Sequence, residues 1–207
     1  YEWSTMDASR SIELMENARH VGILLPDDPD ADALASAEAF GRVLQLQGKH
    51  AGLLRPIPAD SLPHRAFSFL ASSPQLLREF IVSVATAPNP VSELRYEKLD
   101  DRIEIILSPQ SGAIGQDAIS FRTGTTQCDL VIALGISDIE SLPEPSGIAP
   151  DFFTKTPILN LDAAEKNTRY GEANLIGSDT TPLSHIMFEL ISRWRRDAID
   201  RDVATLL

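Results

Sequence analysis

Four carboxylates crowd one short turn of this sequence: Asp27, Asp28, Asp30 and Asp32. An apolar run ending in Ile23, Leu24 and Leu25 leads into them, and a stretch of helical periodicity follows at once. A further acid, Asp162, ends a second apolar run, PILNL at 157–161. Carboxylate oxygens are the ligands that hard cations such as Mg²⁺, Mn²⁺ and Ca²⁺ prefer. If the fold brings Asp30, Asp32 and Asp162 together, they could hold one such ion. The same acids have a plainer use, because Asp at a helix start caps free N–H groups and complements the helix dipole. The residues alone leave both uses open. Clustered acids without an ion repel one another, so Asp30→Ala is expected to leave stability unchanged or to raise it.

Other side chains offer less chemistry. His20, His50, His64 and His185 are scattered, and no two share the spacing of metal ligands. Cys128 precedes a buried apolar run with no His nearby and reads as a small buried residue. Ser36 lies within a helix and lacks the Gly-flanked elbow of a nucleophilic serine. Gly112 and Gly115 make no phosphate loop. Arg193, Arg195 and Arg196 suit the end of a helix, and Trp194 suits packing. No residue is assigned a catalytic role.

The elements that must position the acids follow from periodicity. Residues 6–19 read as an amphipathic helix, 20–25 as a strand, and 31–47 as a helix stopped by Gly48. Residues 51–55 complete a strand–helix–strand unit. Residues 56–79 carry Pro56, Pro58, Pro63 and Pro74 and read as loop with short helical turns. Three alternating strands are expected at 80–86, 94–98 and 102–107, the last two joined by a hairpin turn at Leu99-Asp100-Asp101. Residues 114–121 fit neither pattern well. Continuous apolar strands are expected at 129–134, ending at Gly135, and at 157–161, with an edge strand at 173–176. Thr181-Pro182 reads as a helix start with Thr181 as the cap, and 197–207 as a last helix. The whole is an α/β chain: a mostly parallel, doubly wound sheet with flanking helices and a β-rich insertion near 80–125. One domain is expected over 1–207.

The bulk properties narrow the partners. The chain has 207 residues and a net charge of −12, which argues against a general nucleic-acid surface. A single cysteine leaves no internal disulfide framework and suits a reducing, cytoplasmic setting. No run of apolar residues is long enough for a membrane span, and residues 1–20 do not read as a signal peptide. The sequence opens YEW without an initiator Met, so a trimmed N-terminus is expected.

Three stretches together resemble the N-terminal domain of the DHH phosphoesterases, the group of RecJ-type exonucleases, nanoRNases and cyclic-dinucleotide phosphodiesterases. ILLPDDPDADALAS at 23–36 resembles the family's first motif, a strand followed by His-x-x-x-Asp-x-Asp and a helix bearing a Ser. Asp30 and Asp32 stand on its two Asp positions and Ser36 on the Ser. DLVIALG at 129–135 is similar to the second motif, and PILNLDAAEKN at 157–167 to the third, which carries Asp-His-His and then Asn. Asp162 and Asn167 match there. The resemblance spans most of residues 8–207.

Such a resemblance implies a phosphodiesterase with two Mn²⁺ ions that clamp phosphate and activate water. The departures from the motifs point elsewhere. Pro26 stands where the family has His, Gly135 where it has Asp, and Ala163 and Ala164 where it has two His. Asp30, Asp32 and Asp162 are then a vestigial metal set, with Asn167 and Ser36 as candidate ligand-binding residues. No cofactor is expected, although the residual carboxylates could take one Mn²⁺ or Mg²⁺. The sequence ends before the family's fourth motif and its C-terminal substrate-binding domain. The resemblance therefore implies a degenerate domain kept for binding or assembly, with a protein partner, a second copy or a nucleotide. The alternative is a mutated or shortened form of an active enzyme on short oligonucleotides or cyclic dinucleotides.

Overall fold

The computed structural model describes residues 5–55, 57, 67–72, 76–87, 89–143, 151–178 and 180–207. Contacts divide the chain into two compact units, Tyr1–Leu77 with Thr125–Leu207, and Arg78–Gly124. The proline-rich reading at 56–79 falls mostly outside the described residues, as does His64.

The first unit is built on a five-stranded sheet. Its strands are β1 (His20–Leu24), β2 (His50–Leu53), β7 (Leu130–Leu134), β8 (Ile158–Asp162) and β9 (Ala173–Ile176), in the order β2-β1-β7-β8-β9. Every neighbouring pair is parallel. β1 and β2 are joined through α2 (Ala31–Leu46); α1 (Thr5–Asn17) precedes them and α5 (Leu183–Arg195) and α6 (Arg201–Leu206) follow β9. The parallel sheet with flanking helices expected from the sequence is what the chain forms. Its order reverses between β1 and β7. In open α/β sheets, ligands bind outside the carboxyl ends of the strands at such a reversal.

The apolar runs of β7 and β8 are continuous because both faces of a parallel sheet are covered. One face carries Val21, Ile23, Leu130, Ile132, Leu134, Leu159 and Leu161, packed under α1, α2 and α5. From α5, Leu183, Ile186, Met187, Leu190, Ile191 and Trp194 are buried, at helical spacing. Each such side chain contributes about 1.5–3 kcal/mol relative to exposure. The opposite face is smaller: Leu24, Val131, Ala133 and Ile158 meet Leu54, Leu76, Ile136 and Phe152. Phe152 belongs to a four-residue helix, α4 (Phe152–Lys155). The link from β8 to β9 on this side is irregular chain, 163–172.

The second unit holds the β-rich stretch. β4 (Val91–Lys98) and β5 (Ile103–Pro109) form an antiparallel hairpin with an irregularity between Val91 and Glu93. β3 (Leu77–Val84) pairs with β6 (Ile119–Gln127). Residues 114–121 resolve into a 3-10 turn at Gln116–Ala118 and the start of β6. Between β2 and β3 lies α3 (Ser68–Ala71), in the first unit. Its N-terminal N–H groups are fixed by the buried Glu38 carboxylate, which accepts from Phe69 N and Leu70 N at 2.9 Å each.

Candidate functional site

The carboxyl ends of β1, β7 and β8 converge on the first turns of α2 and α5. Gly135 closes β7 with φ +66°, a left-handed conformation that glycine adopts freely. A Cβ built there would lie 3.7 Å from Leu183 Cδ2 and 4.0 Å from Ala33 Cβ, so three elements meet at this point.

The acidic turn serves those helices. Asp30 is the N-cap of α2, and its Oδ1 accepts from Ala33 N at 2.8 Å. It therefore has a structural partner, which corrects the expectation that removing it costs nothing. Asp32 reaches across to α5, where its carboxylate accepts from Leu183 N at 2.6 Å and Ser184 N at 3.1 Å. It is the cap of a helix 151 residues away. The sequence reading placed Thr181 in that role; Pro182 occupies the cap position and Thr181 instead bonds Ser178, Oγ to Oγ1 at 2.9 Å. Asp27 pairs with Arg55, while Asp28 is exposed.

Asp162 enters a different network. It is 4% exposed, and its Oδ2 accepts from Ser137 Oγ and from Asn167 Nδ2, each at 2.8 Å. Asn167 also donates to the Ile136 carbonyl at 3.0 Å and accepts from Asn160 Nδ2 at 2.8 Å and Arg169 N at 2.7 Å. Asn160 in turn bonds Asn174 at 3.1 Å. Tyr170 donates its hydroxyl to Ile136 O at 2.9 Å. Burial pushes that phenol upward, and the negative Asp162 and Asp138 push it further, so it stays a neutral donor. These amides and hydroxyls satisfy the irregular 163–172 chain, where no helix does so. Gly171 belongs to the same bend: an added Cβ would sit 2.6 Å from Ala173 O and 2.9 Å from Ile158 O. Ser36 is fully buried in α2, and its hydroxyl has no partner among the described residues.

The donor set does not fit a two-ion centre. Among the described residues, no group of three or more His, Cys, Asp and Glu side chains is arranged to hold a metal ion. Asp30 and Asp32 face backbone N–H groups, and Ala163 and Ala164 have no lone pairs to give.

The fold has a solved counterpart. An exopolyphosphatase-related protein from Bacteroides fragilis superposes with a TM-score of 0.60 over 98% of this chain, at 14% identity. This chain spans about half of that protein, 48% of its length. An identity that low shows a shared fold and no more. No protein-family profile matches the sequence, and no curated protein does. Among the described residues, no helix is long and apolar enough to cross a membrane.

At the opposite, amino ends of the strands, the parallel register sets His20 beside His50. Their rings stack at 5.3 Å with 9° between planes. The spacing of histidines in the sequence hides this pair, since only strand pairing brings them together. They border an open groove of about 640 Å³ lined also by Glu16, Arg19, Gln47 and Lys49. Cys128, whose neutral thiol burial pushes up to about 12, is partly buried near Gly22.

Proposed function

We propose that this chain is a DHH-like phosphoesterase domain with a degenerate metal centre, serving as a binding or assembly module for a protein partner or a nucleotide. The observation that carries the reading is the Asp32 carboxylate, committed to the N–H groups of Leu183 and Ser184. A carboxylate that caps a helix is a poor ligand, because a cation must displace two charge-assisted hydrogen bonds. Asp162, tied to Ser137 and Asn167, is similarly occupied. The exopolyphosphatase-related fold supports the phosphoesterase ancestry. A nucleotide would lie at the sheet reversal, near Ser36 and Asn167.

Calorimetric titration with Mn²⁺, paired with hydrolysis of a short oligonucleotide and of cyclic di-AMP, tests the reading. Weak or no Mn²⁺ binding and no turnover are expected. Tight Mn²⁺ binding with turnover would overturn it. Turnover gained in the double variant Ala163→His with Ala164→His would instead support an inactivated enzyme.

A further inference from the structure

The second unit poses a packing problem. Among the described residues between 78 and 124, none is buried. A two-stranded ribbon alone is marginal in water, and three or more strands are needed for independent stability. Yet β4 and β5 form a sheet of two, and β4 is the more exposed edge, with Leu94 68% and Tyr96 76% accessible.

The hairpin fixes what that edge offers. Leu99 N donates to Arg102 O at 2.8 Å, so this is a hydrogen-bonded pair. Along β4 the pairs then alternate, and the N–H and C=O groups of Leu94, Tyr96 and Lys98 point away from β5. A second strand running antiparallel, centred on Tyr96, would exchange both backbone bonds at Tyr96 with its own copy. Leu94 would lie opposite Lys98 of that copy, whose aliphatic stem covers it. Arg95 would lie directly opposite Glu97, in a non-hydrogen-bonded pair where side chains come closest. The charge pattern Arg95-Tyr96-Glu97 is self-complementary about its centre. The match also relieves a conflict within one chain: Glu97 faces Glu104 across the hairpin, and like charges directly opposite are destabilising. In the single chain, Arg95 reaches no closer than 4.0 Å to Glu93.

We infer that β4 is a self-association edge, at which two copies of this chain join about a two-fold axis through Tyr96 into a four-stranded sheet β5-β4-β4-β5. The geometry is isologous, as most closed dimers are. It covers the edge that a soluble chain must otherwise protect. It concerns the β-rich unit alone and holds whether or not the carboxyl ends of the main sheet take a nucleotide.

Sedimentation velocity on the full chain, from micromolar concentration upward, tests it. A concentration-dependent dimer is expected. Arg95→Glu alone and Glu97→Arg alone each set like charges opposite and should weaken dimerisation by about tenfold. The double variant carrying both should restore it, and mixing the two single variants should yield a heterodimer. Both substituted side chains, Arg95 and Glu97, are exposed, so the fold should be unchanged by circular dichroism. A monomer at every concentration, or single variants that dimerise like the parent, would overturn the inference.

Discussion

The carboxylate of Asp32 accepts the backbone N–H of Leu183 at 2.6 Å. That bond joins the first turn of α2 to the first turn of α5, and the neighbouring bond from Ser184 completes the fork. The acid turn is therefore a structural joint as it stands.

Asp32→Ala should cost about 1–2 kcal/mol, the usual loss for a helix cap. At this length that is a Tm drop of roughly 2–8 °C. Asp30→Ala should lose about 1 kcal/mol through its bond to Ala33. Asp28→Ala, at an exposed acid, should stay within about 0.5 kcal/mol. Thermal melts of the three variants separate these outcomes; equal effects would show that the hydrogen bonds carry no weight.

Asn167→Ala removes the donor to Asp162 and to Ile136 and the acceptor for Asn160 and Arg169. Several buried polar groups lose partners at once, at about 1–3 kcal/mol for each left unsatisfied. A total near 2–4 kcal/mol is expected from urea unfolding, since water can reach part of the gap. A loss under about 1 kcal/mol would mean the network is decorative.

Gly171→Ala places a methyl group against two carbonyl oxygens, those of Ala173 and Ile158. Both belong to strand ends that cannot yield without shifting β8 or β9. Destabilisation of about 2 kcal/mol or more is expected, with Gly48→Ala as a contrast whose cost comes from its φ of 71° and not from a clash. Urea midpoints of the two variants distinguish strain from collision.

Acid should weaken the first unit partly through Asp129. Burial works against its charge, but N–H groups of Arg19 and His20, with the His20 ring, outweigh that and hold its pKa below the usual carboxylate range. A group with a lowered folded pKa contributes stability above its unfolded value, about 3.9, and loses it as pH falls through the folded one. Stability should therefore begin to drop below about pH 5 and go on dropping as pH falls through the lowered folded pKa, and the drop should be shallower in Asp129→Asn. Parallel urea titrations of the two proteins give the comparison.

Much of the fold was legible because buried parallel strands write themselves as unbroken apolar runs. DLVIAL and PILNL could hardly be anything else, and β9 was found at its observed bounds. Residues 114–121 were not, because a polar 3-10 turn and an exposed strand leave no period to read. The site was half legible. The positions of Asp30 and Asp32 at the start of α2, and of Asp162 at the end of β8, follow from sequence. Their partners do not, since Asp32 bonds a residue far away in the chain and His20 meets His50 only through strand register. Asn160 carries a signal of its own: an amide inside an apolar strand must find buried partners, and it finds Asn167 and Asn174.

That cluster of amides also sets a clock on the molecule. Asparagine is among the thermolabile residues, and hydrolysis of its side chain turns an N–H donor into a carboxylate. At Asn167 the new negative charge would face Asp162 where a hydrogen bond of 2.8 Å now holds them together. Deamidation of Asn167 under prolonged heating should thus damage this chain irreversibly, opening the bend between β8 and β9 where the new charge appears.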